Sequence, residues 1–166
     1  MNLASLCSCL LLVVAECLLP SFLVFISFKA ITSINMKAAL LSIPVLDQQK
    51  ALVFYTEILG FKVKKNEPMG GDHRWITLVS REWEDGPELL LEPAPLHFEP
   101  SGVYQQALKE AGIPYTLFHV KSVDAEYERL SALGVAFPTP PTVMGEIKFA
   151  LLDDTCGNYI QLLEAD

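Results

Sequence analysis

Few side chains in this sequence are of the types that do chemistry. His73, His97 and His119 are its three histidines, and Ser42, Arg74, Glu92, Tyr115 and Gln161 fall in or beside stretches that read as strands. Imidazoles and carboxylates hold divalent ions. Hydroxyl, amide and guanidinium groups orient small ligands. Within 36–166 no HExxH pattern, cysteine pair or Gly-Lys-Ser/Thr after Gly70-Gly71 is present, so that part encodes neither a self-sufficient metal motif nor a phosphate loop. Cys156 sits in the turn-rich DDTCGN with no adjacent histidine. It is expected to be an incidental thiol rather than a nucleophile.

Strands and helices must position these groups. KAALLSIPVL reads as a strand, and Asp47 caps a following helix in which Ala51, Phe54, Tyr55 and Ile58 recur at helical spacing. Gly60 stops that helix. FKVKKN, RWITLVS and PELLLEP are strands, with EPMGGD a loop and REWEDG a turn. The second half follows the same order. YTLFHVK is a strand, Ser122 caps the helix SVDAEYERLSALG, VAFP is a short strand and TPPTVMGE a loop. IKFALLD and YIQLLE close the chain as strands. Between the halves, SGVYQQALKEAGIP reads as a linking helix over 101–111, capped by Ser101 and stopped by Gly112.

The halves are copies. Leu59-Gly60-Phe61 is echoed 74 residues later by Leu133-Gly134-Val135, and Met69-Gly70 is echoed 75 residues later by Met144-Gly145. The expected fold is therefore α+β, from two βαβββ modules over 36–95 and 114–166. Each sheet must bury its second face. Pairing the modules makes a funnel-like curved mixed sheet with helices outside, a natural seat for a small ligand. Strand residues two apart share a face. Leu40, Ser42 and Pro44 therefore lie together, as do Glu88, Leu90 and Glu92; Tyr115, Leu117 and His119; and Tyr159 and Gln161. Ser42, Tyr115 and Gln161 are the favoured ligand contacts. Glu92 and His119 are candidates for a polar rim, against plainer roles as a solvated strand end and a hydrogen-bonded strand histidine. Arg74 and His73 begin a strand and can meet an anionic ligand at the funnel mouth, against a role as solvated turn charges. His97, in PAPLHFEP, reads as an exposed loop residue.

Charge narrows the partners. Of 166 residues, the first 35 hold two charged side chains, Glu16 and Lys29, so the rest carry the whole net charge of −8. Such an acidic domain has no footprint for nucleic acid. The front segment is apolar. Residues 8–28 are long enough to span a bilayer, with Glu16 and Pro20 as flaws. Two readings lead, a membrane anchor through 8–28 or a misplaced start with Met36 as the true first residue, and a cleaved signal peptide stands behind both. Lys29 and Lys37 would keep the domain cytoplasmic. Cys156, alone in 36–166, also fits a cytoplasmic domain without disulfides.

LDQQKALVFYTEILGFKV resembles the opening of the vicinal oxygen chelate superfamily, the group of glyoxalase I, bleomycin-resistance proteins and extradiol dioxygenases. EYERLSALGV and the closing DDTCGNYIQLLE resemble its second half, with Asp154, Thr155, Cys156, Gly157 and Asn158 standing for that superfamily's Asp-Pro-x-Gly-Asn turn. The resemblance covers essentially all of 36–166. It implies a VOC domain and, in metal-dependent members, an ion held by His, Gln and Glu on the inner strand faces. Carried over, those positions fall on Leu40, Leu90, Tyr115 and Gln161. Two leucines offer no donor atoms, so no metal and no cofactor is expected. The expected function is small-molecule binding with a degenerate metal site and activity undetermined. The alternative is a glyoxalase- or dioxygenase-like metalloenzyme with a displaced metal site, drawing on Glu92 or His119. A homodimer is expected in either case.

Overall fold

The computed structural model describes residues 36–164. β1 (Leu40–Pro44) leads into α1 (Gln48–Val53), which runs on as a π-helical turn over Phe54–Ile58. β2 (Lys62–Gly70), β3 (His73–Val79) and β4 (Glu88–Glu92) complete the first module. Two linking helices follow, α2 (Ala94–His97) and α3 (Glu99–Glu110). The second module holds β5 (Thr116–Val120), α4 (Val123–Ala132), β6 (Thr139–Met144), β7 (Ile147–Asp153) and β8 (Tyr159–Glu164). The sheets run β1-β4-β3-β2 and β5-β8-β7-β6. In each, the first and last strands of the module pair in parallel and the other pairs are antiparallel. The fold is thus the α+β arrangement of two βαβββ modules.

Local chemistry explains most boundaries. The Asp47 carboxylate accepts from the Gln49 and Lys50 N–H groups at 2.8 and 2.9 Å, and the Ser122 hydroxyl accepts from the Ala125 N–H at 3.3 Å. Both satisfy donors that a helix start leaves open. Three boundaries differ from the sequence expectation. The linking helix starts at Glu99 rather than Ser101, and the Ser101 N–H donates to the Phe98 carbonyl. Pro100 sits in its first turn, where a missing N–H costs nothing. β2 continues through Asn66–Met69 to Gly70, and β6 covers TPPTVM rather than VAFP. Pro68, Pro140 and Pro141 are tolerated there because β2 and β6 are outer strands, where a proline need not interrupt a ladder. The repeated Met-Gly pairs end these strands at hairpins, where Gly70, Gly71 and Gly145 take φ of 99, 60 and 63°.

The strand faces divide cleanly. Ile43, Leu89, Leu91, Ile76 and Leu78 enter one buried cluster with Ala51, Phe54 and Tyr55 of the first helix. Ala150, Leu152, Ile160 and Leu162 join the same cluster with Val123 and Leu130 of α4. Phe61 meets Phe118 across the modules at 5.2 Å between ring centres. Polar ties run through this region. The buried Gln48 amide donates to the Arg74 and Leu91 carbonyls and accepts from the Arg74 N–H, fixing α1 to β3 and β4. The buried Gln105 amide of α3 donates to the Pro44 carbonyl and to the Asn158 amide oxygen, each at 2.9 Å.

Asp154, fully buried, is the centre of these ties. Its carboxylate accepts from the Tyr55 hydroxyl at 2.9 Å, from the Asn158 side-chain amide at 2.7 Å, and from the Cys156 and Asn158 N–H groups at 2.8 Å. Burial pushes its pKa above the ordinary carboxylate value, while the bonds from Asn158, Cys156 and Tyr55 pull the other way. Tyr55→Phe is expected to lower folding stability by about 1–3 kcal/mol, and Asp154→Ala by about 3 kcal/mol or more, since several donors then lose their acceptor. Urea melts of both variants give the values; parental stability in Tyr55→Phe would remove this bond from its central place. Residues 36–166 expressed alone are expected to melt cooperatively, because both modules are complete within them. A fragment that aggregates while the full chain remains soluble would move that boundary.

Candidate functional site

The core takes one face of every central strand, and the other faces carry the candidate residues. In the first module, Ser42 lies opposite Leu90, and Leu90 lies opposite Thr77. Leu40 pairs with Glu88, and Pro44 with Glu92. In the second module, Gln161 lies between Leu117 and Leu151, and His119 pairs with Leu163. The Tyr115 N–H donates to the Tyr159 carbonyl at 2.8 Å, placing Tyr115 at the head of β5. Strand alternation therefore puts Ser42 and Glu92 on one open face, and Tyr115, His119 and Gln161 on its counterpart. Among the described residues, no side-chain hydrogen bond or ion pair within the chain occupies any of the five. These faces are apolar with a few free polar groups, the usual composition of a small-molecule site.

Arg74 belongs elsewhere. Its guanidinium donates to the Gln49 side chain at 2.8 Å and to Asn66 at 3.4 Å, so it lies on the α1 side of the sheet. His119, exposed on the edge strand β5, also borders a cleft of about 690 Å³ between the end of the π-helical turn, Ser80–Glu82 and α4. Thr77 is a residue that sequence pattern missed. It is fully buried in the row of Ser42 and Leu90, and its hydroxyl meets no partner at hydrogen-bonding geometry. The Glu88 carboxyl still feels that hydroxyl, which lowers its pKa ahead of Lys64. A threonine inside RWITLVS carries no mark in one dimension; only the pairing of β3 with β4 brings it beneath Leu90.

A divalent ion at the superfamily's usual position does not fit these residues. Leu40 and Leu90 have no donors, and the buried Leu90 lies between the hydroxyl residues Ser42 and Thr77. The Tyr115 phenol is pushed above its ordinary pKa, first by burial and then by Tyr104, so it stays protonated and ligates poorly. Gln161 remains as a lone amide. Among the described residues, no group of three His, Cys, Asp or Glu converges on a point that would hold an ion.

Cys156 is buried beside Asp154, and its pKa is pushed up to about 12, first by burial and then by the Asp154 charge. A thiol held protonated is not a nucleophile. In a protein whose Cys7, Cys9 and Cys17 are changed to serine, Cys156 is expected to react with a thiol-specific disulfide reagent only after denaturation. Rapid labelling of the native protein at neutral pH would show that the thiol is open to solvent.

Comparison with known proteins agrees with the fold. The model of the Glyoxalase/Bleomycin resistance protein/Dioxygenase superfamily matches residues 37–162, and the chain belongs to that superfamily. It is 50% identical over 129 residues to the Bacillus subtilis protein YurT, covering 78% of this chain and 99% of that one. Among solved structures, UcmS2 is 31% identical with a TM-score of 0.66, covering 80% of this chain and all of its own. TnmS3, an antibiotic binding protein from Streptomyces sp. CB03234, is 28% identical with a TM-score of 0.58, covering 78% of this chain and 95% of its own. Among the described residues, no helix is long and apolar enough to cross a membrane. The front segment 8–28 lies outside them.

Proposed function

We propose that this superfamily member binds a small, largely apolar molecule on the open strand faces, without a metal ion at the superfamily's usual position. One observation carries the reading. Two of the four positions that resemble the ligand set are leucines, Leu40 and Leu90, and the polar groups on the open strand faces, Ser42, Tyr115 and Gln161, make no side-chain hydrogen bond among the described residues. Such a surface gains affinity by covering apolar area, at roughly 25 cal/mol per Å². It gains orientation from a few hydrogen bonds. An ion that polarises substrate oxygens is what a glyoxalase-type reaction requires, and Leu40 and Leu90 offer no donors for one at the superfamily's usual position. The likeness to TnmS3, an antibiotic binding protein, supports a ligand of the antibiotic kind.

We further read the working form as a homodimer in a cytoplasmic setting. Leu40 and Leu117, on the open faces, are 37% and 45% exposed in a single chain. A second copy laid over them encloses the ligand and removes that apolar area from water.

Thermal-shift screening against aromatic and polycyclic compounds, followed by calorimetry, tests the reading. A ligand is expected, and Tyr115→Ala is expected to weaken its affinity tenfold or more while shifting the melting transition little. A large stability loss with unchanged affinity of the folded fraction would make Tyr115 a core residue. Methylglyoxal–glutathione isomerase activity is expected to be absent after loading with zinc, nickel, manganese or ferrous iron. Turnover restored by any of these ions would put the enzyme reading first.

A further inference from the structure

Two of the three histidines meet. His73 opens β3 and His97 closes α2, and their ring centres stand 5.5 Å apart with the ring planes at 62°. They are 24 residues apart in sequence, and the fold brings them together at the end of the first sheet. His73 shares a strand face with Trp75 and Thr77, the open face rather than the helix-covered one. The pair is not buried, since His97 is exposed and His73 half-buried. Among the described residues, neither imidazole is engaged in a side-chain hydrogen bond or an ion pair.

The separation is itself informative. Two imidazoles bound to one tetrahedral ion, each with nitrogen about 2.0–2.1 Å from the metal, have ring centres roughly 5 Å apart. His73 and His97 are already near that spacing, and a turn of the exposed His97 ring out of its edge-to-face contact brings a nitrogen of each toward a common point. Their supports are firm on one side and adjustable on the other. His73 follows the glycine turn that starts β3, paired with Gly70. The short helix α2 packs Pro95 against Gly102 of α3, while the exposed His97 ring can rotate about its own side-chain bonds.

We propose that His73 and His97 form a two-imidazole site for a borderline divalent transition ion, copper(II) or zinc, at the end of the first module's open face. Imidazole suits such ions and not magnesium or calcium. No third His, Cys, Asp or Glu converges with the pair among the described residues, so two or more coordination positions stay open to solvent or to oxygen donors of a bound molecule. The site is separate from the superfamily's usual position at Leu40, Leu90, Tyr115 and Gln161. It does not depend on the ligand reading given above.

The test uses the full chain with Cys7, Cys9 and Cys17 changed to serine, so that their thiols do not compete. Copper(II) titration followed by electron paramagnetic resonance, and zinc titration by calorimetry, report stoichiometry and donors. The expected result is one ion per chain, with copper hyperfine structure from two nitrogens and no competition from magnesium. Either His97→Ala or His73→Phe is expected to weaken binding at least tenfold. Because His97 is exposed, His97→Ala should leave the melting transition in place, which separates lost ligation from lost folding. Binding that survives both substitutions, or a copper signal with a single nitrogen donor, overturns the site.

Discussion

A carboxylate without solvent holds this molecule in register. Burying such a charge costs several kcal/mol, and Asp154 recovers that cost only because four donors converge on it. One donor, the Tyr55 hydroxyl, comes from the first module's helix; the others come from the second module's own turn. The network then spreads. Asn158 donates to the Pro44 carbonyl at the end of β1, and Gln105 joins the same carbonyl from α3. The Leu46 N–H donates to the Cys156 carbonyl. A single polar cluster therefore ties β1, the first helix, α3 and the entry to β8. With the shared apolar core and the Phe61–Phe118 contact, it sets Ser42 on β1 relative to Gln161 on β8.

Both faces of the central strands are rich in apolar residues, but the faces differ in kind. The helix-covered face is closed by packing, and its polar atoms are matched. On the open face, Leu90 and Leu151 are buried near unengaged polar side chains and one orphan hydroxyl. Matched polarity fixes a structure, and unmatched polarity waits for a partner. The same scaffold supports metal chemistry in relatives that place imidazole and carboxylate on these strands. In the reading proposed above, the leucines turn the same surface toward contact area. Fold and chemistry are separable in this way because the strands supply positions while the side chains supply function.

Much of this was legible in one dimension. The duplicated Leu-Gly and Met-Gly signatures give the two modules, and strand alternation puts Ser42, Tyr115 and Gln161 on the open faces. Asp47 and Ser122 cap the helices that they precede. What escaped depends on pairing between distant segments. TPPTVM does not read as a strand because two prolines argue against a ladder; only its outer position excuses them. Ser101 looks like a cap because its type fits, yet Pro100 is already helical. Gln48, Gln105 and Thr77 are ordinary polar residues until their partners, up to 61 residues away, are known. Arg74 has the right charge for a ligand, but Gln49 and Asn66 engage it first. His97 and His73 are unrelated in sequence and meet only through the α2 turn.

The outer strands also decide how this protein avoids its neighbours. A sheet edge offers unpaired N–H and C=O groups, and a flat apolar edge recruits other chains into fibrils. β2 ends its sheet with Lys62, Lys64 and Lys65, a bulge and Pro68. β6 ends the other with Pro140 and Pro141 and a shift of register between Thr139 and Thr142. Like charges repel an incoming strand, a proline withholds its N–H, and a bulge turns the edge out of plane. The residues that hid β6 from the sequence pattern are thus a guard against amyloid-like growth. At these two edges they leave the broad strand faces as the better surface for meeting another molecule.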